Sequence, residues 1–234
     1  MRKNFFLSSL ATIAFVAILL TGCSKDDTTA PVITITGSSS LELSLNSGAW
    51  TDLGATAEDD EDGAVNVTSD ASSTNPNTNL VGTYTITYTA QDAAGNVEFS
   101  TRTIRVKNDA EDFAGDYLVR DTVPGFVFNY NQKISVDSTV NNRVRFTHSD
   151  GFAFYANNTG IYATKLGNGN LEIPLQTAVD IGSGTGTCDI ATHQFSSVSF
   201  TANANGFVLS YTDAITSPGA CTGSTTGVAT YTLQ

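Results

Sequence analysis

From Thr83 to Thr89 every odd position is threonine, and the even positions between them are Tyr84, Ile86 and Tyr88. A period of two places the apolar residues on one face of an extended chain and the hydroxyls on the other. Wound into a helix, the same residues would be scattered around the circumference and could bury no face. The alternation recurs along the chain. Val32 to Thr36, the series Leu41, Leu43 and Leu45, the pair Val65 and Val67, and the pair Ile104 and Val106 all follow it. Gly48, Asp62-Gly63, Gly82 and Gly95-Asn96 punctuate these runs as turns. One buried and one wet face per strand is the pattern of antiparallel sheets.

Lys107 to Asp112 breaks the alternation with a polar stretch, and a second series of strands follows. Gly115 to Val119 opens it, and Val127 to Val136 continues. Val144, Phe146 and His148 then share a face opposite Arg143 and Arg145. Phe152 to Tyr155, Ile161 to Leu166, and Leu171, Ile173 and Leu175 come next. Val198, Phe200 and Ala202 face one way, Asn203 to Gly206 turns, and Phe207, Leu209 and Tyr211 return before Val228 to Leu233. The expectation is an all-β protein of two domains, residues 30–107 and 113–234, joined by a linker at 108–112. The first is a sandwich and the second an up-and-down barrel or flattened sandwich in hairpin order. Pro174 has no amide hydrogen to give a ladder, so its strand is an edge or carries a bulge.

The N-terminus carries a different signal. Arg2 and Lys3 precede a mostly apolar run from Phe5 to Leu20, and the small residues Thr21 and Gly22 lead into Cys23. This is the layout of a secretion signal, with an apolar core short for a hydrocarbon layer of roughly 30 Å. Leu20-Thr21-Gly22-Cys23 resembles the bacterial lipobox, and Ser24-Lys25-Asp26-Asp27 resembles the surface-export signal of Bacteroidetes lipoproteins. The resemblance implies a signal peptide at 1–22, acyl chains such as palmitate on Cys23, and a lipidated tether at 23–29. It implies a protein anchored in the outer membrane and facing outward. Each buried methylene contributes about 0.8 kcal/mol, so several chains anchor far more firmly than one.

A second resemblance covers the first domain. Pro31 to Gly37, Gly54-Ala55-Thr56-Ala57, Asp59 with Asp62-Gly63, Val81 to Tyr88, Asp92 with Ala94-Gly95-Asn96, and Arg102-Thr103-Ile104 occur in order. This resembles the bacterial surface Ig-like family, also named after the Ig-like domain of a pesticidal crystal protein. Trp50, where the family more often has tyrosine, and the polar stretch from Ser69 to Asn79 depart from it. The family implies an Ig-like spacer or presentation module without catalysis. Gly115-Asp116-Tyr117 and Gly206 to Tyr211 are loosely similar to C-terminal β domains of Bacteroidetes surface lipoproteins, and no functional residue carries over.

The net charge is −12, and no basic stripe is visible, so nucleic acid is not an expected partner. With Cys23 lipidated, Cys188 and Cys221 remain, and an oxidising compartment favours their pairing as a disulfide. Two cysteines make a poor zinc site, which wants four ligands.

Glu58 to Asp62 is a run of acids followed by Gly63. A hard cation such as calcium would relieve their repulsion, with Asp92 as a further ligand. The twelfth position from Glu58 is Ser69, so the run is no EF-hand. It reads as a solvated turn in which aspartates cap backbone amides, and neither a metal nor another cofactor is assigned.

His148 and His193 sit in no nucleophile setting, and the scattered acids form no recognisable dyad. The chain is therefore not expected to be an enzyme. Phe126, Phe128 and Tyr130 alternate on one face, and Phe152, Phe154 and Tyr155 cluster after Asp150-Gly151. Flat rings beside Asn and Asp groups stack on sugars, and the anchored architecture resembles accessory parts of polysaccharide-uptake systems, which implies a glycan as the ligand. Filling the barrel core is the commoner use of such rings and is the expectation for these. The other reading of the whole chain is a structural or adhesive surface protein with a protein partner.

Overall fold

A computed structural model describes residues 27–148, 161–179, 192–215 and 223–234. Cys23, Cys188, Cys221, Phe152, Phe154 and Tyr155 lie outside the described residues. Regular structure is almost entirely β-strand, and the described residues include no helix long and apolar enough to cross a membrane.

The first domain has two sheets. β1 (Val32–Ile35), β3 (Ala55–Asp59) and β4 (Gly63–Val65) form one, in the order β1-β3-β4. β2 (Ser40–Ser44), β5 (Val67–Ser69), β6 (Gly82–Gln91) and β7 (Val97–Lys107) form the other, in the order β2-β7-β6-β5. The β2–β7 pair is parallel, whereas β6 and β7 run antiparallel over their full length. Ile86, Tyr88 and Ile104 are buried between the sheets, against Ile33 and Ile35 from the opposite side. The threonine alternation thus does what the sequence predicts: Ile86 and Tyr88 point inward.

Arg102 lies in the same inward phase as Ile104 and Val106 and is fully buried. Its Nε donates to the Tyr88 hydroxyl at 2.9 Å, and its Nη2 donates to the Thr36 and Gly54 carbonyls at 2.7 and 3.3 Å. The Tyr88 hydroxyl donates to Asp52 Oδ1 at 2.7 Å, and Asp52 lies 3.6 Å from the guanidinium. Trp50 and Tyr88 present ring faces to the cation, each centroid 5.8 Å away. A buried cation is tolerated when it is paired and hydrogen-bonded. Thr36 and Gly54 flank β1 and β3, so this one side chain ties the two sheets together.

The joint between the domains is densely bonded. Asn108 is buried, and its Nδ2 donates to the carbonyls of Asp137, Val140 and Arg143 at 2.8, 2.9 and 3.2 Å. Asp109 accepts from Ser44 Oγ and Asn141 Nδ2. Val81 N and Asn46 Nδ2 donate across to Ser138 and Thr139 carbonyls. A single 3-10 turn, Glu111–Phe113, then leads into the second domain.

That domain is one antiparallel sheet of nine segments. They are β8 (Gly115–Val123), β9 (Phe126–Val136), β10 (Arg143–His148), β11 (Ile161–Lys165), β12 (Leu171–Glu172), β13 (Gln176–Val179), β14 (Thr192–Asn203), β15 (Gly206–Ile215) and β16 (Gly223–Leu233). The order is β12-β11-β10-β9-β8-β16-β15-β14-β13, a meander whose last strand pairs with its first. The two edges meet. Ile173 N donates to Ser197 Oγ and Ser197 N to the Ile173 carbonyl, both at 2.9 Å. β12 and β13 are halves of one stave broken at Pro174, as the missing amide hydrogen requires. The Gln176 side chain bridges the remaining seam, accepting from Tyr162 N at 3.1 Å and donating to the Tyr162 carbonyl at 2.8 Å. Its primary amide stands where a strand's peptide would.

Two local phases differ from the sequence reading. Leu175 is exposed while Leu171 and Ile173 are buried, because the break at Pro174 resets the alternation. Val198 is exposed although Phe200 packs on the core, because the register shifts between Ser197 and Ser199. A bulge of that kind turns the residues on either side to opposite faces.

Candidate binding site at the barrel mouth

One end of the barrel is plugged. At the end nearest the joint, Ala110 is buried in the core and Phe113 packs edge-on to Phe200 and Phe207, with centroids 5.8 and 6.1 Å away. Phe207 stacks on Tyr231 at 4.4 Å, and Tyr117 and Phe146 meet Tyr231 edge-on. These rings pack the barrel interior at that end. The β8–β9 turn lies at the opposite end, together with the strand ends that flank residues 149–160, 180–191 and 216–222.

Phe126, Phe128 and Tyr130 lie on the inward face of β9. Register fixes this: Tyr130 opposes buried Val119, Phe128 opposes buried Asp121, and Phe126 opposes Val123. Only Tyr130 fills the interior, packing on the core cluster. Phe126 and Phe128 are 67% and 51% exposed, which corrects the expectation that these rings fill the barrel. They stack on each other with centroids 6.3 Å apart and planes 21° from parallel. Both sit beside the β8–β9 turn, at the end of the hairpin farthest from the packed layer. The result is an aromatic shelf at the mouth.

Below the shelf lies a polar floor. Asp121 is 6% exposed, and its Oδ2 accepts from the Tyr211 hydroxyl at 2.7 Å. The Tyr130 hydroxyl faces the same carboxylate, and Tyr231 lies close enough to feel its charge. The other oxygen, Oδ1, is buried and has no hydrogen bond of good geometry among the described residues. Burial pushes the Asp121 carboxyl above the usual range, and the Tyr211 hydrogen bond offsets part of that rise. Burial likewise raises the phenols of Tyr130, Tyr211 and Tyr231. These hydroxyls therefore stay protonated and act as donors. The exposed part of this region is the aromatic shelf; the carboxylate and the phenols beneath it are buried.

Glycine makes this floor possible. A Cβ at Gly227 would collide with the Tyr211 ring, which lies flat over β16 on its way to Asp121. The sequence names Phe126 and Phe128 through their alternation. It gives no signal for Asp121, which sits in an ordinary alternating strand and becomes special only when β15 and β16 bring Tyr211 to it.

Residues 33–106 match the family model of the bacterial surface protein Ig-like domain. The two-sheet domain is of the bacterial surface Ig-like type. The barrel lies outside that match, so its chemistry rests on its own geometry. Among solved structures, a crystal structure of a lipoprotein from Bacteroides thetaiotaomicron is similar, at 16% identity and a TM-score of 0.30, covering 86% of this chain and 99% of that chain. No curated protein matches the chain.

Proposed function

We propose that this chain is a lipid-anchored protein of the bacterial outer surface, in which the Ig-like domain is a spacer and the barrel a non-enzymatic glycan-binding module. The N-terminal signal ending at Cys23 and the surface type of the first domain support the location. The observation that carries the binding reading is the exposed, stacked pair Phe126 and Phe128 above buried Asp121. Pyranose rings present C–H-rich faces to flat aromatics while their hydroxyls seek acceptors and donors at the edge. The exposed pair Phe126 and Phe128 offers such a face. A part in polysaccharide uptake fits such a module held outside the cell.

The test is a glycan array probed with the full chain, followed by affinity measurement on any hit. Phe126→Ala with Phe128→Ala should reduce affinity by at least tenfold and leave the melting temperature unchanged. A folded protein that binds no glycan but captures a surface protein through the same two residues would favour the adhesive reading.

A further inference from the structure

We propose that Asp27, Asp59 and Asp92 form a calcium site that fastens the N-terminal tether to the end of the Ig-like domain. This goes beyond any role of the barrel and concerns the opposite end of the molecule. The three residues come from distant parts of the sequence: the segment before β1, the end of β3, and the turn between β6 and β7. One carboxylate oxygen from each lies within 4.8 Å of the others. Two oxygens bound to one calcium at 2.3–2.6 Å are at most about 5 Å apart, so a single ion reaches all three without moving the backbone.

The local hydrogen bonds hold the carboxylates in place without using them up. Asp59 Oδ1 accepts the amides of Glu61 and Asp62, as the turn reading of the acid run predicts. Asp92 Oδ1 accepts the amides of Gly95 and Asn96, and its Oδ2 accepts from Asn96 Nδ2, which also donates to the Asp27 carbonyl. Asp62 Oδ2 accepts from Ala93 N and so binds one turn to the other.

A second and independent observation points to a ligand. Asp59 is 8% exposed, and its Oδ2 is buried with no hydrogen-bond partner among the described residues. Asp92 beside it is 7% exposed. A buried carboxylate oxygen left without a partner is unfavourable, and a bound cation relieves that. Among the described residues no lysine or arginine pairs with any of the three acids. All available donors are oxygens, which selects a hard cation, and a site completed by water suits calcium's flexible coordination better than magnesium's strict octahedron.

The experiment uses the full chain in detergent, stripped with chelator and titrated with calcium chloride. Calorimetry should show one ion per chain, and the melting temperature should rise and saturate with calcium. Asp59→Asn keeps the acceptor for the Glu61 and Asp62 amides, and Asp27→Asn changes only the tether. Each should weaken binding at least tenfold while the melting temperature in chelator stays within a degree or two of wild type. Trypsin cleavage after Lys25 should slow in calcium for wild type and not for Asp27→Asn. No saturable calcium binding, or equal affinity in both variants, would overturn the site. Calcium binding that leaves cleavage at Lys25 unchanged would overturn the fastening of the tether.

Discussion

Tyr211 reaches across an entire strand to donate its hydroxyl to Asp121 Oδ2 at 2.7 Å, and Gly227 is the reason it can. Gly227→Ala should destabilise the barrel by about 1–3 kcal/mol, the usual cost of overpacking. In a Tyr211→Leu background the same change should cost far less, because the displaced ring is gone. Equal costs in the two backgrounds, measured by urea unfolding, would refute the steric coupling.

Two buried aspartates should give stability slopes of opposite sign. Asp121 is held above the ordinary carboxylate range by burial. Its folded-state advantage is complete below the unfolded value of about 3.9 and is lost as pH rises through the folded value. Asp121→Asn should therefore gain on wild type as pH rises from 4. Burial also pushes Asp137 up, but the amides of Thr139 and Val140 and the Arg143 guanidinium outweigh it and hold it well below the usual range. Its contribution is complete above about 3.9 and disappears as pH falls through the folded value. The gap between wild type and Asp137→Asn should thus be full at pH 7 and shrink below pH 4. Melting temperatures across that range check both signs.

Arg102→Met should destabilise the Ig-like domain by about 3 kcal/mol or more, since it strands the Thr36 and Gly54 carbonyls and leaves Asp52 without its cation. Tyr88→Phe removes one hydroxyl between the same groups and should cost about 1–2 kcal/mol. A near-neutral Arg102→Met in thermal or chemical unfolding would mean that the sheets are held by apolar contact alone.

The sequence reading recovers the strands and the break at Pro174 because each depends on a local rule, alternation or a missing amide hydrogen. It leaves a closed barrel and a flattened sandwich as alternatives, because closure is not a local matter. Closure depends on Gln176 meeting Tyr162 and Ser197 meeting Ile173, contacts between residues 14 and 24 positions apart. Phe126 and Phe128 are visible as an in-phase pair, but their exposure depends on what the rest of the barrel places over the end of the β8–β9 hairpin, which alternation does not encode. Asp92 is legible as a partner of the acid run, whereas Asp27 is not, since nothing in a polar tether marks where it will lie.

Cys188 and Cys221 should be disulfide-bonded in the exported protein. They fall in the segments 180–191 and 216–222, which join strands at the same end of the meander. Closing a loop of about 33 residues stabilises by roughly 3.5–4 kcal/mol on the chain-entropy argument, less any strain. Thiol labelling of the unreduced, unfolded protein should find neither thiol free. Two labelled thiols per chain would refute the pairing.

Cys23→Ala should abolish acylation and leave the protein either unprocessed or released. Carbonate washing followed by mass measurement of the N-terminus checks this. A variant that is correctly cleaved and still membrane-bound would refute the lipid anchor.

The parallel pairing of β2 with β7 has a mechanical consequence. β7 carries its load out through Asn108, which grips three carbonyls of the barrel, and the aromatic shelf lies at the far end of β8. A pull on a ligand at the mouth against an anchored tether therefore drags β7 lengthwise past its neighbours. Its ladders to β2 and β6 resist in shear, with many hydrogen bonds loaded together, rather than opening one by one like a zip. A chain tethered in flowing liquid and holding a long polymer would be strained in that direction.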